Sequence, residues 1–228
     1  MTDRMTLTWP DPSPFVRRDG RPIRVLAVSD EPDPALDSAV TRERIGSVDL
    51  VVGAGDLEPD YLSFLADAFD APLRYVRGNH DVGAAWSATR RTLLPEPMRD
   101  GQVVDEDGLR LVGFSGSPTY NDRGMQVSAL GMWSRVIRSS GAAQRATPVI
   151  VVSHAPPRDI NDDHDRAHRG FTAFRWLVDR LAPPLWLHGH TALVRRGMDD
   201  RCARHNGTLF YNCTGATLIE LRAPDADG

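Results

Sequence analysis

Leu73-Arg74-Tyr75-Val76-Arg77-Gly78-Asn79-His80-Asp81 runs from an apolar, β-branched segment into a glycine followed by three polar side chains. Leu73–Val76 has the length and residue types of a buried strand, and Gly78 lets the chain turn sharply where that strand ends. The same order recurs on both sides. Ile23–Val28 runs into Ser29-Asp30, and Leu50–Val52 into Gly53-Ala54-Gly55-Asp56. Val149–Val152 runs into Ser153-His154, and Leu185–Leu187 into His188-Gly189-His190-Thr191. One Asp after a strand is ordinarily a turn residue or a helix cap. Strand after strand ending on Asp, Asn or His points further, because open α/β sheets bind ligands at the carboxyl ends of their strands.

Further strand candidates are Leu109–Phe114, Thr208–Asn212 and Thr217–Leu221. Helical stretches are expected over 34–45, 59–69, 125–145 and 171–181, the first with Asp33 as N-cap and Pro34 at its first position. Alternation of strands and helices, followed by a strand-rich C-terminal third, predicts a layered α/β sandwich with a mixed sheet. Residues 1–20 read as an irregular arm, 21–222 as a single domain and 223–228 as a polar tail.

The chain has 228 residues, a length that buries a substantial core without disulfides. Net charge is −4, so no basic field argues for nucleic acid or an anionic membrane. All 27 basic residues are Arg, which removes Schiff-base, P-loop and catalytic-lysine chemistry. No apolar segment follows Met1, and aliphatic runs such as Val149–Val152 are strand-sized. Together these features point to a cytoplasmic protein whose two cysteines, Cys202 and Cys213, are buried or half-buried thiols.

Asp56, Asn79, His154 and His190 are the candidates to gather around at least one divalent metal. Carboxylate, amide-oxygen and imidazole donors suit Mn²⁺, Fe²⁺ or Zn²⁺. The short-spaced cysteine pairs of a closed structural zinc site are missing.

Gly55-Asp56, Gly78-Asn79-His80-Asp81, His154 and Gly189-His190-Thr191 together resemble the motifs of the calcineurin-like metallophosphoesterases, in order and approximate spacing, over roughly residues 24–221. The resemblance implies a four-layer α/β/β/α sandwich and two metal ions that activate water against phosphorus. It implies Asp56 as the bridge between the ions and Asn79, His154 and His190 as the other protein ligands of the second ion. His80 would give a proton to the leaving oxygen, oriented by Asp81; an imidazole suits that duty near neutral pH.

The first ion is where the sequence departs from the pattern. Asp30 is present, but the family's Asp-x-His reads Asp30-Glu31-Pro32, and its Gly-His-x-His reads Gly189-His190-Thr191-Ala192. Both imidazoles lost belong to one site. The centre therefore holds one ion or two, with replacement ligands sought among Glu31, Asp33, His188 and the loop 158–170, which carries His164 and His168. His188 lies two positions before His190, which on a strand means the same face. Arg77, Tyr120 and Asn121 are candidates to hold a phosphate or substrate, while Asn212-Cys213-Thr214-Gly215 reads as support beneath the site. The expected function is hydrolysis of a small-molecule phosphomonoester or phosphodiester. The competing expectation is a non-catalytic metal- or nucleotide-binding protein on the same scaffold.

Overall fold

A computed structural model describes residues 2–87, 89, 92, 94–121, 123–191 and 201–224. The chain begins with β1 (Asp3–Thr8), α1 (Ser13–Val16), β2 (Ile23–Ser29), a 3-10 turn (Pro34–Asp37), α2 (Ala39–Ile45), β3 (Leu50–Gly53), α3 (Pro59–Phe69) and β4 (Leu73–Tyr75). It continues with β5 (Val103–Glu106), β6 (Leu109–Phe114), β7 (Ser117–Pro118), β8 (Gln126–Val127), α4 (Ala129–Arg145) and β9 (Ile150–Ser153). The last elements are α5 (Thr172–Leu181), β10 (Leu185–His188), β11 (Cys202–His205), β12 (Thr208–Asn212) and β13 (Gly215–Arg222).

Two mixed sheets form, in the orders β1-β13-β2-β3-β4 and β11-β12-β10-β9-β6-β5, with β7-β8 as a small separate pair. Side-chain alternation explains their stacking. Along β2, Val25 and Ala27 enter the core between the sheets, while Leu26 and Val28 face the layer containing Leu62 and Leu65 of α3. Along β9, Ile150 and Val152 point inward, and Val151 packs with Met132 and Val136 of α4 and Phe174 and Leu177 of α5. Three apolar layers therefore separate helix, sheet, sheet and helix, the four-layer α/β/β/α sandwich that the motifs implied. Each fully buried aliphatic side chain in these layers contributes about 1.5–3 kcal/mol.

The expected irregular arm contains regular structure over Asp3–Thr8 and Ser13–Val16. β1 pairs in parallel with β13 from Asp3↔Thr217 to Thr8↔Arg222, and Trp9 and Phe15 are buried in the core between the sheets. Only Met5 and Leu7 of β1 pack inward, so an edge strand with polar alternate positions looks like a polar arm in sequence. Of the tail, residues 225–228 lie outside the described residues.

Two helices are shorter than their apolar periodicity suggests. Asp33 does accept from the Ala35 amide, but Ser38 is extended (φ −78°, ψ 121°) and splits the 34–45 stretch into the 3-10 turn and α2. α4 starts at Ala129, because Gln126 and Val127 pair with β7 and the Ser128 side chain caps the Gly131 amide. The sequence reading missed β5 and β11, each the outer arm of a hairpin. Their turns, Asp107-Gly108 (φ 50° and 92°) and Asn206-Gly207 (φ 48° and 77°), are left-handed at both positions. Neither cysteine is in a disulfide; Cys213 is buried as expected, and Cys202 is exposed rather than half-buried.

Candidate metal centre

The polar ends of β2, β3, β4, β9 and β10 meet at one edge of the sandwich. Backbone bonds lace them together: the Asp30 amide donates to the Gly55 carbonyl (3.1 Å) and the Gly189 amide to the His154 carbonyl (3.0 Å). Asp30, Asp56 and His190 are all left-handed (φ 59°, 56° and 69°). Such conformations cost energy for residues other than glycine and cluster where side chains are aimed for function. Two glycines make the convergence possible. A Cβ on Gly78 would stand 2.0 Å from Asp56 Oδ1, and one on Gly189 would stand 2.1 Å from Asp30 Oδ2. At both places backbone lies directly on a carboxylate.

His154 is fully buried at the centre of the cluster. Its Nδ1 lies 2.9 Å from the Ala54 carbonyl, so that nitrogen carries the proton and donates it there. Its Nε2 faces Asn79 Oδ1 at 3.0 Å and Asp56 Oδ2 at 3.2 Å. Asn79 in turn donates through Nδ2 to the Tyr120 hydroxyl (3.1 Å), which fixes its amide oxygen toward the imidazole. Asp56 Oδ1 accepts from the His80 amide (2.7 Å). Asp30, Asp56 and His154 each offer one ligand atom within 4.8 Å of the others.

Charges are strongly coupled here. Burial works against a charged His154, but the carboxylates of Asp56 and Asp30 outweigh it and raise its pKa to about 9. Burial pushes Asp56 up, yet His154 and the His80 amide hold its pKa below the ordinary carboxylate value. For Asp30 burial prevails and the pKa is raised. His190 lies with its ring 4.9 Å from that of His154; burial and the neighbouring positive charge lower its pKa to about 3, so the ring is neutral. Its Nε2 donates to the Ala167 carbonyl (2.8 Å), leaving Nδ1 as the acceptor.

Asp30, Asp56, Asn79 and His190, with His154 behind them, line a cleft of about 160 Å³ whose wall also includes Glu31, His80, Tyr120, His168, Thr191 and Thr214. A calcineurin-like phosphoesterase family profile matches residues 24–193, most of the chain and all five strand ends. The chain belongs to the calcineurin-like phosphoesterase family. Solved structures agree in fold. The protein TT1561 of Thermus thermophilus superposes with a TM-score of 0.54 at 15% identity, covering 85% of this chain and 90% of that one. A dimetal phosphatase from Danio rerio superposes with a TM-score of 0.53 at 11% identity, covering 86% and 88% respectively. No curated protein matches this chain.

Within this member of the calcineurin-like phosphoesterase family, the other expected site residues divide clearly. His80 is exposed at the cleft. Asp81 is buried, and its Oδ2 accepts from the amides of Gly78 (2.6 Å) and Asp56 (3.0 Å). It therefore braces the loop that carries His80 and the backbone of Asp56, a different duty from the expected grip on the His80 ring. Burial raises its pKa to about 6 despite those bonds. Tyr120 and His168 do reach the cleft. His168 is held through Nδ1 by both oxygens of Asp165 (3.0 and 2.9 Å), and its ring lies 5.4 Å from that of His190.

Four candidates are placed elsewhere. Arg77 stacks on Trp86 (4.8 Å) and donates to the Asp81 carbonyl, so its guanidinium supports the loop from behind. Asn121 is exposed and closes a turn, accepting from the Arg123 amide (2.8 Å). His164 is exposed and is not part of the cleft wall. His188 is buried with Nδ1 toward the Gly189 carbonyl (3.0 Å), away from that wall. The same-face expectation for His188 and His190 fails because β10 ends at His188, and the left-handed turn at His190 breaks strand alternation. Sequence reading missed Thr214 as a contact of the site itself: its hydroxyl lies 3.3 Å from Asp30 Oδ2 while donating to the nearer Asn212 Oδ1 (2.7 Å). Ala192, where the family's last histidine would stand, lies outside the described residues.

The donor set on the His154 side fits a borderline divalent ion. With Nδ1 tied to a backbone carbonyl, Nε2 is the nitrogen left for an ion, which would displace its proton beside an anionic oxygen and an amide oxygen, and a carbonyl holds the ligand ring as outer-shell partners do in metal sites.

Proposed function

We propose that the chain hydrolyses a small-molecule phosphomonoester or phosphodiester with a divalent metal, Mn²⁺, Fe²⁺ or Zn²⁺, held by Asp56, Asn79 and His154 together with Asp30, with the ring of His190 packed against His154. The observation that carries this reading is the convergence of Asp56, Asn79 and His154 donor atoms behind a cleft that has His80 at its wall. A bound divalent ion supplies Lewis acidity toward a phosphoryl oxygen and lowers the pKa of water. The protein supplies the rest. Asp56 and Asn79 orient on the buried His154, Asp81 fixes the loop, and His80 presents an imidazole to the leaving oxygen. His168, steadied by Asp165, is the residue we assign to the substrate phosphate. Net charge −4 and a cleft of this size favour a small substrate over nucleic acid. Two cysteines outside any disulfide favour the reducing cytoplasm.

Among the described residues no helix is long and apolar enough to cross a membrane. The dimetal phosphatase of like fold supports phosphate chemistry as the class of reaction. The test is turnover of a phosphoester panel with added Mn²⁺, in wild type and in His80→Ala. The variant should lose about 10²–10⁴-fold in kcat while binding metal as before. A His80→Ala variant as active as wild type would refute the role of His80.

A further inference from the structure

Asp30 is the one family metal position whose partners have changed, and its surroundings show what took their place. Ser29 Oγ donates to Asp30 Oδ2 at 2.6 Å, the His190 amide donates to both oxygens at 3.0 Å, and Thr214 Oγ, whose proton goes to the nearer Asn212 Oδ1 (2.7 Å), lies 3.3 Å from Oδ2. A carboxylate has about four lone-pair sites, so most of its capacity is already taken by protein donors. The Gly189 turn packs against the same carboxylate so closely that a Cβ there would meet Oδ2 at 2.1 Å. On the open side the cleft wall offers the hydroxyls of Thr191 and Thr214, the exposed carboxylate of Glu31, and the rings of His168 and His190, whose Nδ1 and Nε2 are already engaged by Asp165 and the Ala167 carbonyl respectively, with proline at position 32. Hydroxyls are poor substitutes for two imidazoles. Among the described residues, those around Asp30 do not fit an ion of their own.

The remaining capacity of Asp30 points inward instead. Its carboxylate has a ligand atom within 4.8 Å of those of Asp56 and His154, close to the span that ligands of one ion at ~2.0–2.2 Å can cover. Asn79 Oδ1 lies 3.0 Å from His154 Nε2, on the same side. We propose that the centre is mononuclear: one divalent ion is shared by Asp30, Asp56, Asn79 and His154, and no second ion sits beside it at Asp30. This rests on the metal-binding part of the function proposed above, but not on catalysis.

The experiment uses the full chain, stripped with chelator and titrated with Mn²⁺. Bound metal is measured by equilibrium dialysis with elemental analysis, and the saturated sample is examined by electron paramagnetic resonance. The expected result is one Mn²⁺ per chain with the hyperfine sextet of an isolated ion. Two ions per chain, a signal from an exchange-coupled pair, or no binding at millimolar Mn²⁺ each overturn the proposal. In Asp30→Asn, checked for folding by its melting curve, Mn²⁺ affinity should fall by at least about tenfold, comparable to the loss of an outer-shell partner or worse. Unchanged affinity in a folded Asp30→Asn would remove Asp30 from the shared ion. None of these readouts needs turnover, so a metal-binding protein without phosphoesterase activity still tests the proposal.

Discussion

Gly78→Ala is the substitution that presses hardest on the geometry of the centre. The new Cβ would stand 2.0 Å from Asp56 Oδ1 and 2.6 Å from the Asp56 amide nitrogen. The side chain cannot simply swing away, because Oδ1 is held by the His80 amide (2.7 Å) and the Asp56 amide by Asp81 (3.0 Å). Relief requires the two loops to separate, and overpacking of this kind costs about 1–3 kcal/mol. For a chain of this size that lowers Tm by roughly 2–12 °C. The larger effect falls on the metal: displacement of Asp56 from Asn79 and His154 should weaken Mn²⁺ binding by about 10–100-fold, as loss of outer-shell support does. Gly207→Ala is the control. Unlike Gly78 it has positive φ (77°), but a Cβ there meets nothing within 4 Å, so the substitution should cost about 1–2 kcal/mol and leave metal affinity alone. Calorimetric titration with Mn²⁺ and a thermal melt read both effects. A Gly78→Ala protein that binds Mn²⁺ as tightly as wild type would refute the claim that the glycine holds the carboxylate in place.

Two further outcomes follow from the core. Phe174 is fully buried with Phe171, Phe114 and Trp186 rings at 5.0, 5.2 and 5.4 Å, so Phe174→Ala should cost about 3–5 kcal/mol in a denaturant melt; a loss under about 1 kcal/mol would contradict the packing described for α5. Burial pushes the Cys213 thiol well above its ordinary pKa, so it stays protonated and unreactive at pH 8. A thiol reagent should then label exposed Cys202 alone in the native protein and both cysteines after unfolding; rapid native labelling of Cys213 would show that β12 and its following turn open readily.

Much of this arrangement is legible in the sequence because strand ends punctuate it. Buried strands such as Ile150–Ser153 are continuous aliphatic runs, and the polar residue that ends each run marks the cleft. What escaped was set by geometry that sequence periodicity does not carry. β1 has only Met5 and Leu7 packing inward, too few apolar residues to stand out. The β5–β6 and β11–β12 hairpins did carry a signal, Asp-Gly and Asn-Gly, which favours turns left-handed at both positions. Around the centre, the residue types identified Asp56, Asn79 and His154 as neighbours. The direction of side chains beyond a strand end was not readable: His188 turned inward, Arg77 went to Trp86, and Asp81 took backbone amides in place of the His80 ring. Thr214 reached Asp30 across 184 positions of sequence, a contact without local signature.

The most direct test of the central claim is phosphoester turnover by the purified chain, measured after chelation and again after Mn²⁺ is restored. The proposed function predicts that hydrolysis is absent in chelator, returns with Mn²⁺, and is lost in His80→Ala although that variant still takes up the ion. Hydrolysis that persists in chelator, or is equal in wild type and His80→Ala, would contradict it.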